Sequence, residues 1–231
     1  MASLSKFEEL AGMAFENALR LHVDSIRAFE EESFATAYQL SITASEEIGK
    51  ALLLEEYVWQ VSIHQWNEKD EFAQKYLQSI FSSHKAKQRK FAYFANDFLR
   101  RNSFKNASSL INPLTKGIGE TEKQNSTFVG LTRLKNGKVN LNGKIVTPRL
   151  FAQPDKAEKQ ITLNSDFLVV YISGFIRGIY GTDSYSIAQH MSQDNLDILE
   201  ALWLKHGLLA KHILALHQKH SVLKNPLADW E

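Results

Sequence analysis

Residues that interrupt helices are scarce in this chain, and they are unevenly placed. Its 231 residues include 11 Gly and 4 Pro, and eight of these fifteen fall between Pro113 and Pro154. The total is about 6% of the chain, where average usage gives roughly 12%. Outside that segment, long stretches contain nothing to stop a helix. A β-sandwich or barrel needs a turn residue roughly every ten positions, and such residues are missing. The absence of Cys excludes a disulfide-stapled scaffold, thiol catalysis and thiolate metal sites. With 44% apolar residues, the chain can fill one sizeable core. The expected architecture is all-α: a single helical domain over 1–231 with an irregular segment, 112–160, inserted in it.

Charge follows the same division. Residues 1–112 carry 13 basic and 15 acidic side chains, residues 113–149 carry 7 and 2, and residues 150–231 carry 7 and 9. The formal charge of +1 argues against a uniformly cationic nucleic-acid binder, yet the insert is basic. Its Asn136-Gly137 and Asn142-Gly143 dipeptides favour type I′ turns. The flanking stretches, Phe128 to Leu134 and Lys144 to Thr147, can pair as short strands. The insert therefore reads as a basic loop with a short β-hairpin arm, and Arg133, Lys135 and Lys138 are candidate nucleic-acid contacts. The first residues lack the apolar core of a signal peptide. The longest apolar run, Phe167 to Ile176, is far short of a membrane span. A cytoplasmic protein with no membrane partner is expected.

Apolar periodicity places the helices. Phe7, Ala11, Ala14, Ala18, Leu21, Ser25 and Phe29 share one face of a helix over about 4–30. A second helix over about 34–64 follows Ser33, with the stripe Ala37, Leu40, Ala44, Ile48, Ala51, Leu54 and Val58. A third covers about 68–81. Ser82 or Ser83 caps a fourth, 84–101, with Phe91, Phe94, Ala95 and Phe98 on one face. Leu163 to Tyr180 reads as a very apolar, central helix, and a last helix spans about 194–222.

Ionisable groups interrupt two of these stripes. Glu47 lies within roughly 40° of the centre of the second stripe. Lys50 sits one turn on, within reach of Glu46 and Glu47. On the fourth helix, His84 and Lys87 open the Phe91/Phe94/Phe98 face. Buried charges are costly unless paired, so Glu47, Lys50, His84 and Lys87 are expected to meet, and with Glu46, in reach of Lys50, they are the candidate catalytic residues. A His beside a carboxylate and ammonium groups suits acid/base work on a phosphodiester, with Lys holding the phosphate. The same residues also suit a structural ion-pair network that fixes helix register. Lys85, Arg89 and Lys90 lie off the stripe, and with nearby Phe91 and Tyr93 they form a second candidate nucleic-acid surface. His206, His217 and His220 fall on an apolar stripe near the C-terminus. Without a His-Glu-x-x-His pattern they read as partly buried histidines. No Walker loop, dinucleotide fingerprint or nucleophile elbow occurs, and neither metal nor cofactor is expected.

A pattern of residues in the first hundred positions resembles a known family. Asn17-Ala18-Leu19-Arg20-Leu21-His22-x-Asp24 is followed by Ala35-x-Ala37-Tyr38-x-Leu40-Ser41. Then come Ala44-Ser45-Glu46-Glu47-Ile48-Gly49-Lys50-Ala51 and His84-Lys85-x-Lys87-Gln88. Together they resemble the AbiV family of bacterial abortive-infection proteins, within the HEPN-like superfamily. The resemblance implies a cytoplasmic helical bundle that forms a homodimer and acts in phage defence. It would arrest growth of the infected cell by cleaving RNA or blocking translation, with a phage-encoded protein as activator. It also admits a non-catalytic interaction module that binds a phage or host protein. Many HEPN relatives are metal-independent ribonucleases with Arg, four to six residues, then His. This chain departs from that motif, and Lys205 with His212 is only a Lys-substituted echo.

Overall fold

The computed structural model describes residues 2–101, 114–116, 119–127, 129–131, 140–148, 154–176, 201 and 205. Within these, the helices are α1 (Ala2–Glu30), α2 (Phe34–Ser62), α3 (Glu71–Ser82), α4 (His84–Arg101), α5 (Gly119–Thr127) and α6 (Pro154–Ile176). The first four follow the apolar periodicity closely. Ser83 caps α4 by accepting a bond from the Ala86 backbone N–H at 3.2 Å. Helices α1 and α2 form an αα-hairpin whose turn places Glu32 at φ 58°. The Ser33 N–H donates to the Ala28 carbonyl at 2.9 Å and closes the end of α1.

Helix α2 is the hub of the bundle. It packs against α1, α3, α4, α5 and α6, and sixteen of its 29 residues are buried. The late apolar helix, α6, is also in the core, where it packs against α1, α2 and α4, and the hub position of α2 follows from its composition. Its interior face holds Ser41, Ala44, Ser45 and Gly49, small residues that let neighbours approach from several sides. Their hydroxyls are satisfied locally: Ser41 Oγ donates to the Ala37 carbonyl at 2.8 Å, so polarity here does not mean exposure. Gly49 marks the tightest approach. A Cβ at this position would lie 2.0 Å from the Lys87 carbonyl oxygen, so only glycine allows the α2 and α4 backbones to touch.

Two apolar clusters fill the bundle. The larger joins Phe15, Leu19 and Ile26 of α1 to Ile42 and Ile48 of α2, Phe91 of α4 and Phe167 of α6. Phe91 and Phe167 meet edge to face at 5.2 Å between ring centroids, a favoured aromatic geometry. The smaller cluster joins Leu54, Tyr57 and Val61 of α2 to Ala73 and Ile80 of α3. Polar groups are also buried where α6 meets α1 and α2. Asn164 Nδ2 donates to the Ser41 carbonyl at 2.7 Å, Ser45 Oγ lies 2.7 Å from Asn164 Oδ1, and His22 Nε2 lies 3.1 Å from Ser165 Oγ. Ser165 Oγ donates to the Ile161 carbonyl, so His22 Nε2 is the donor in that pair. Burial pulls the His22 pKa down to about 3.

The inserted segment is more ordered than loop and hairpin alone. Gly130–Leu131 pairs antiparallel with Ile145–Val146, a minimal two-stranded ladder (β1 and β2), and the Gly143 N–H closes a turn on the Asn140 carbonyl at 2.8 Å. Within the same segment, however, 119–127 is helical, and α6 begins at Pro154, not near Leu163. Proline suits a first helical turn, where its missing N–H has no partner to lose. The final helix over 194–222, with His206, His217 and His220, lies outside the described residues, apart from helical positions 201 and 205. There Lys205 pairs with Glu30. Among the described residues, no helix is long and apolar enough to cross a membrane.

Candidate functional site

The polar cluster forms where α2, α4 and α5 meet, and its centre is Glu46. This carboxylate is only 3% exposed. Three donors converge on it: His84 Nδ1 at 2.9 Å, Gln88 Nε2 at 2.7 Å, and Lys123 Nζ at 2.9 and 3.0 Å to the two oxygens. Lys123 also pairs with Glu120 at 3.0 Å, one turn back on α5, and its ammonium lies 3.4 Å from His84 Nδ1. Burial alone would lower the Lys123 pKa. The bonds and charges of Glu46 and Glu120 outweigh it and hold the ammonium above its ordinary range.

The His84 ring is about half exposed. A carboxylate beside Nδ1 fixes the tautomer with hydrogen on Nδ1, because Glu46 can only accept there. Nε2 is then the basic nitrogen. A buried carboxylate, an oriented imidazole and an ammonium side by side can move a proton and hold an anion. Glu46, His84 and Glu120 also offer ligand atoms within 4.8 Å of one another. Lys123 bonds both Glu46 oxygens and pairs with Glu120, so a lysine ammonium already supplies the positive charge there.

The remaining candidate residues are placed differently from expectation. Glu47 and Lys50, both partly buried, pair with each other at 3.6 Å along α2, apart from the cluster. The structure thus assigns the buried role to Glu46 and the half-buried one to Glu47. A stripe calculation assumes one buried face, but α2 is packed on several, and position 46 faces α4 and α5. Lys87 is buried, with its backbone pressed against Gly49. Among the described residues it makes no ion pair with Glu46 or Glu47. Lys123, at the heart of the cluster, was not apparent from the sequence, because α5 has no apolar periodicity to mark it. Gln88 was legible only through the family pattern.

The candidate nucleic-acid residues divide in the same way. Lys85 is exposed, and Arg89, also exposed, donates through Nε to the Thr115 carbonyl at 3.2 Å. Lys90 is committed to packing: its ammonium lies 2.6 Å from Glu56 Oε2, which also accepts from Tyr76 OH at 2.6 Å. This triad ties α2, α3 and α4 together. Burial would raise the Glu56 pKa, but the bonds from Lys90 and Tyr76 hold it below the usual carboxylate range. Arg133, Lys135 and Lys138 lie outside the described residues.

The comparisons with known proteins agree with the architecture. The family model of AbiV, a HEPN family, matches residues 6–168, which span α1 to the middle of α6 and contain every residue of the Glu46 cluster. No curated protein and no solved structure matches the chain. The match covers well over half of the chain, and the protein belongs to the AbiV family of HEPN-like abortive-infection proteins.

Proposed function

We propose that this protein is the toxic effector of an abortive-infection response, arresting growth of a phage-infected cell by acting on RNA, through cleavage or through a block of translation. The observation that supports a chemical role is the bond between the buried Glu46 carboxylate and Nδ1 of the half-exposed His84. It leaves Nε2 as a proton acceptor at the surface. Glu46 is a positioning residue that sets the tautomer, and Lys123 is the neighbouring cation. Exposed Lys85 and Arg89 on the same helix supply charge for a phosphate backbone. Arg133, Lys135 and Lys138 of the basic insert are further candidate phosphate contacts. The protein acts in the cytoplasm as a homodimer, and a phage-encoded protein is the trigger.

A second reading, a non-catalytic module that binds a phage or host protein, is favoured by one feature. Both Glu46 oxygens are fully engaged by Gln88, Lys123 and His84, as in a lock that fixes α5 on α2 and α4. One experiment separates the two readings. Wild-type and His84→Ala proteins are expressed in bacteria, with growth, RNA integrity and translation followed, and the purified proteins are melted. The effector reading expects His84→Ala to relieve growth arrest while the protein stays folded. Undiminished arrest by a folded His84→Ala protein overturns the catalytic role of His84.

A further inference from the structure

Helix α5 differs from every other helix of the bundle. Its sequence, Gly119-Glu120-Thr121-Glu122-Lys123-Gln124-Asn125-Ser126-Thr127, contains no apolar side chain. A nine-residue helix is too short to persist alone in water, so its docking holds it in shape. Hydrophobic burial does not supply that docking. Two groups of charges do. At one, Lys123 reaches both oxygens of Glu46. At the other, Glu122 accepts from Tyr38 OH at 2.6 Å and pairs with Lys156 of α6 at 3.0 Å, while the Lys156 ammonium lies 5.3 Å from the Tyr38 ring centroid. Gly119 completes the seat: a Cβ there would meet Gln88 Oε1 at 2.6 Å.

We propose that α5 is an electrostatic latch over the Glu46–His84 site, docked in the resting protein and lifted in the active one. The proposal rests on the effector reading for what the open state does, but not for the existence of the latch. When docked, Lys123 shares the Glu46 charge and covers the carboxylate. When α5 lifts, the Lys123 ammonium leaves the carboxylate, and Glu46 keeps its bonds to His84 Nδ1 and Gln88 Nε2. The Lys123 ammonium is then free for an incoming phosphate. Elements held by few apolar contacts open most readily, and ion pairs weaken as salt is added. A basic or acidic partner surface that competes for Glu122 or Lys156 would lift α5 in the same way.

The test weakens the far clasp and leaves the Glu46 cluster intact, using Glu122→Gln and Lys156→Met in the full chain. Amide hydrogen exchange is followed by mass spectrometry at low and high salt. Peptides covering 119–127 are expected to exchange roughly tenfold faster in each variant, and faster at high salt in wild type, with α2 and α4 peptides unchanged. Growth arrest on expression is expected to be stronger than wild type, and to be abolished when His84→Ala is added. Protection of 119–127 that stays level with α2 in both variants overturns the latch. Faster exchange with equal or weaker growth arrest overturns its inhibitory role. Loss of the His84→Ala effect alone overturns the effector reading and leaves the latch standing on its exchange data.

Discussion

Replacing Glu46 with Ala removes the acceptor on which three donors converge, and the cost can be worked from the geometry. Lys123 keeps Glu120 but loses both bonds to Glu46. Gln88 Nε2, in a fully buried residue, loses its acceptor, whereas His84 can turn to water. Breaking a buried charge pair costs about 3–5 kcal/mol. The retained Glu120 contact places this case at the lower end, about 3 kcal/mol. For a chain of this size that is a fall of roughly 6–12 °C in Tm. Equilibrium urea unfolding and calorimetry measure it directly. The double variant Glu46→Ala/Lys123→Met removes both charges together, so it should lose less than the sum of the two single changes, with a coupling of about 2 kcal/mol. A Glu46→Ala cost below about 1 kcal/mol, additive with Lys123→Met, would refute the view that these groups form one desolvated unit.

Further predictions concern the same packing. Gly49→Ala would stabilise an ordinary helix by about 1 kcal/mol; here, with its Cβ 2.0 Å from the Lys87 carbonyl oxygen, it is expected to destabilise. The loss should be about 3 kcal/mol, and a higher urea midpoint would contradict that. His22 is neutral in the fold, with a pKa of about 3 against an ordinary 6.5. The unfolded chain therefore binds more protons between those values, and stability falls by about 1.4 kcal/mol per pH unit as pH drops through that window. An unchanged slope in His22→Gln, in urea melts across mildly acidic pH, would remove His22 as its source. Lys123 has a raised pKa, so its contribution is complete below about pH 10.4, the unfolded value, and is lost as pH rises through the higher folded value. The gap in unfolding free energy between wild type and Lys123→Met should stay constant up to that pH and narrow above it. Lys90→Ala should lower Tm through the loss of a charged hydrogen bond, a cost of about 1–2 kcal/mol, while Lys85→Ala leaves Tm unchanged. Equal melts for both would reverse the assignment of Lys90 to packing.

Much of the fold was legible from the sequence for physical reasons. Helices α1 to α4 carry apolar residues at helical spacing and few breakers, so their ends fell close to the expected positions. The pairing of the stretches that flank the turn was legible, but the type I′ turn expected at Asn142-Gly143 does not form: the turn runs from Asn140 to Gly143, and Asn142 has no positive φ. Helix α5 was not legible, because a helix with no apolar face leaves no periodic signal. The start of α6 was missed because Pro154 resembled the end of a loop, whereas it opens a helix. In the site, two helices with charges on packing faces pointed to a polar cluster, and Glu46 and His84 are at its centre. Lys50, Glu47 and Lys87 were grouped with them by spacing along single helices. Spacing cannot tell which of several packed faces of α2 meets α4.

By itself, then, the sequence determined the helical class, the basic insert and the family pattern, since periodicity, breaker placement and charge are local properties of the chain. Tertiary structure decided which ionisable groups share one desolvated space. Lys123 reaches Glu46 across 77 positions of sequence, and Gly49 lets α4 approach closely enough to bring His84 and Gln88 to the same carboxylate. Such contacts depend on helix packing angles and backbone approach, which are set only when the whole core closes around α2.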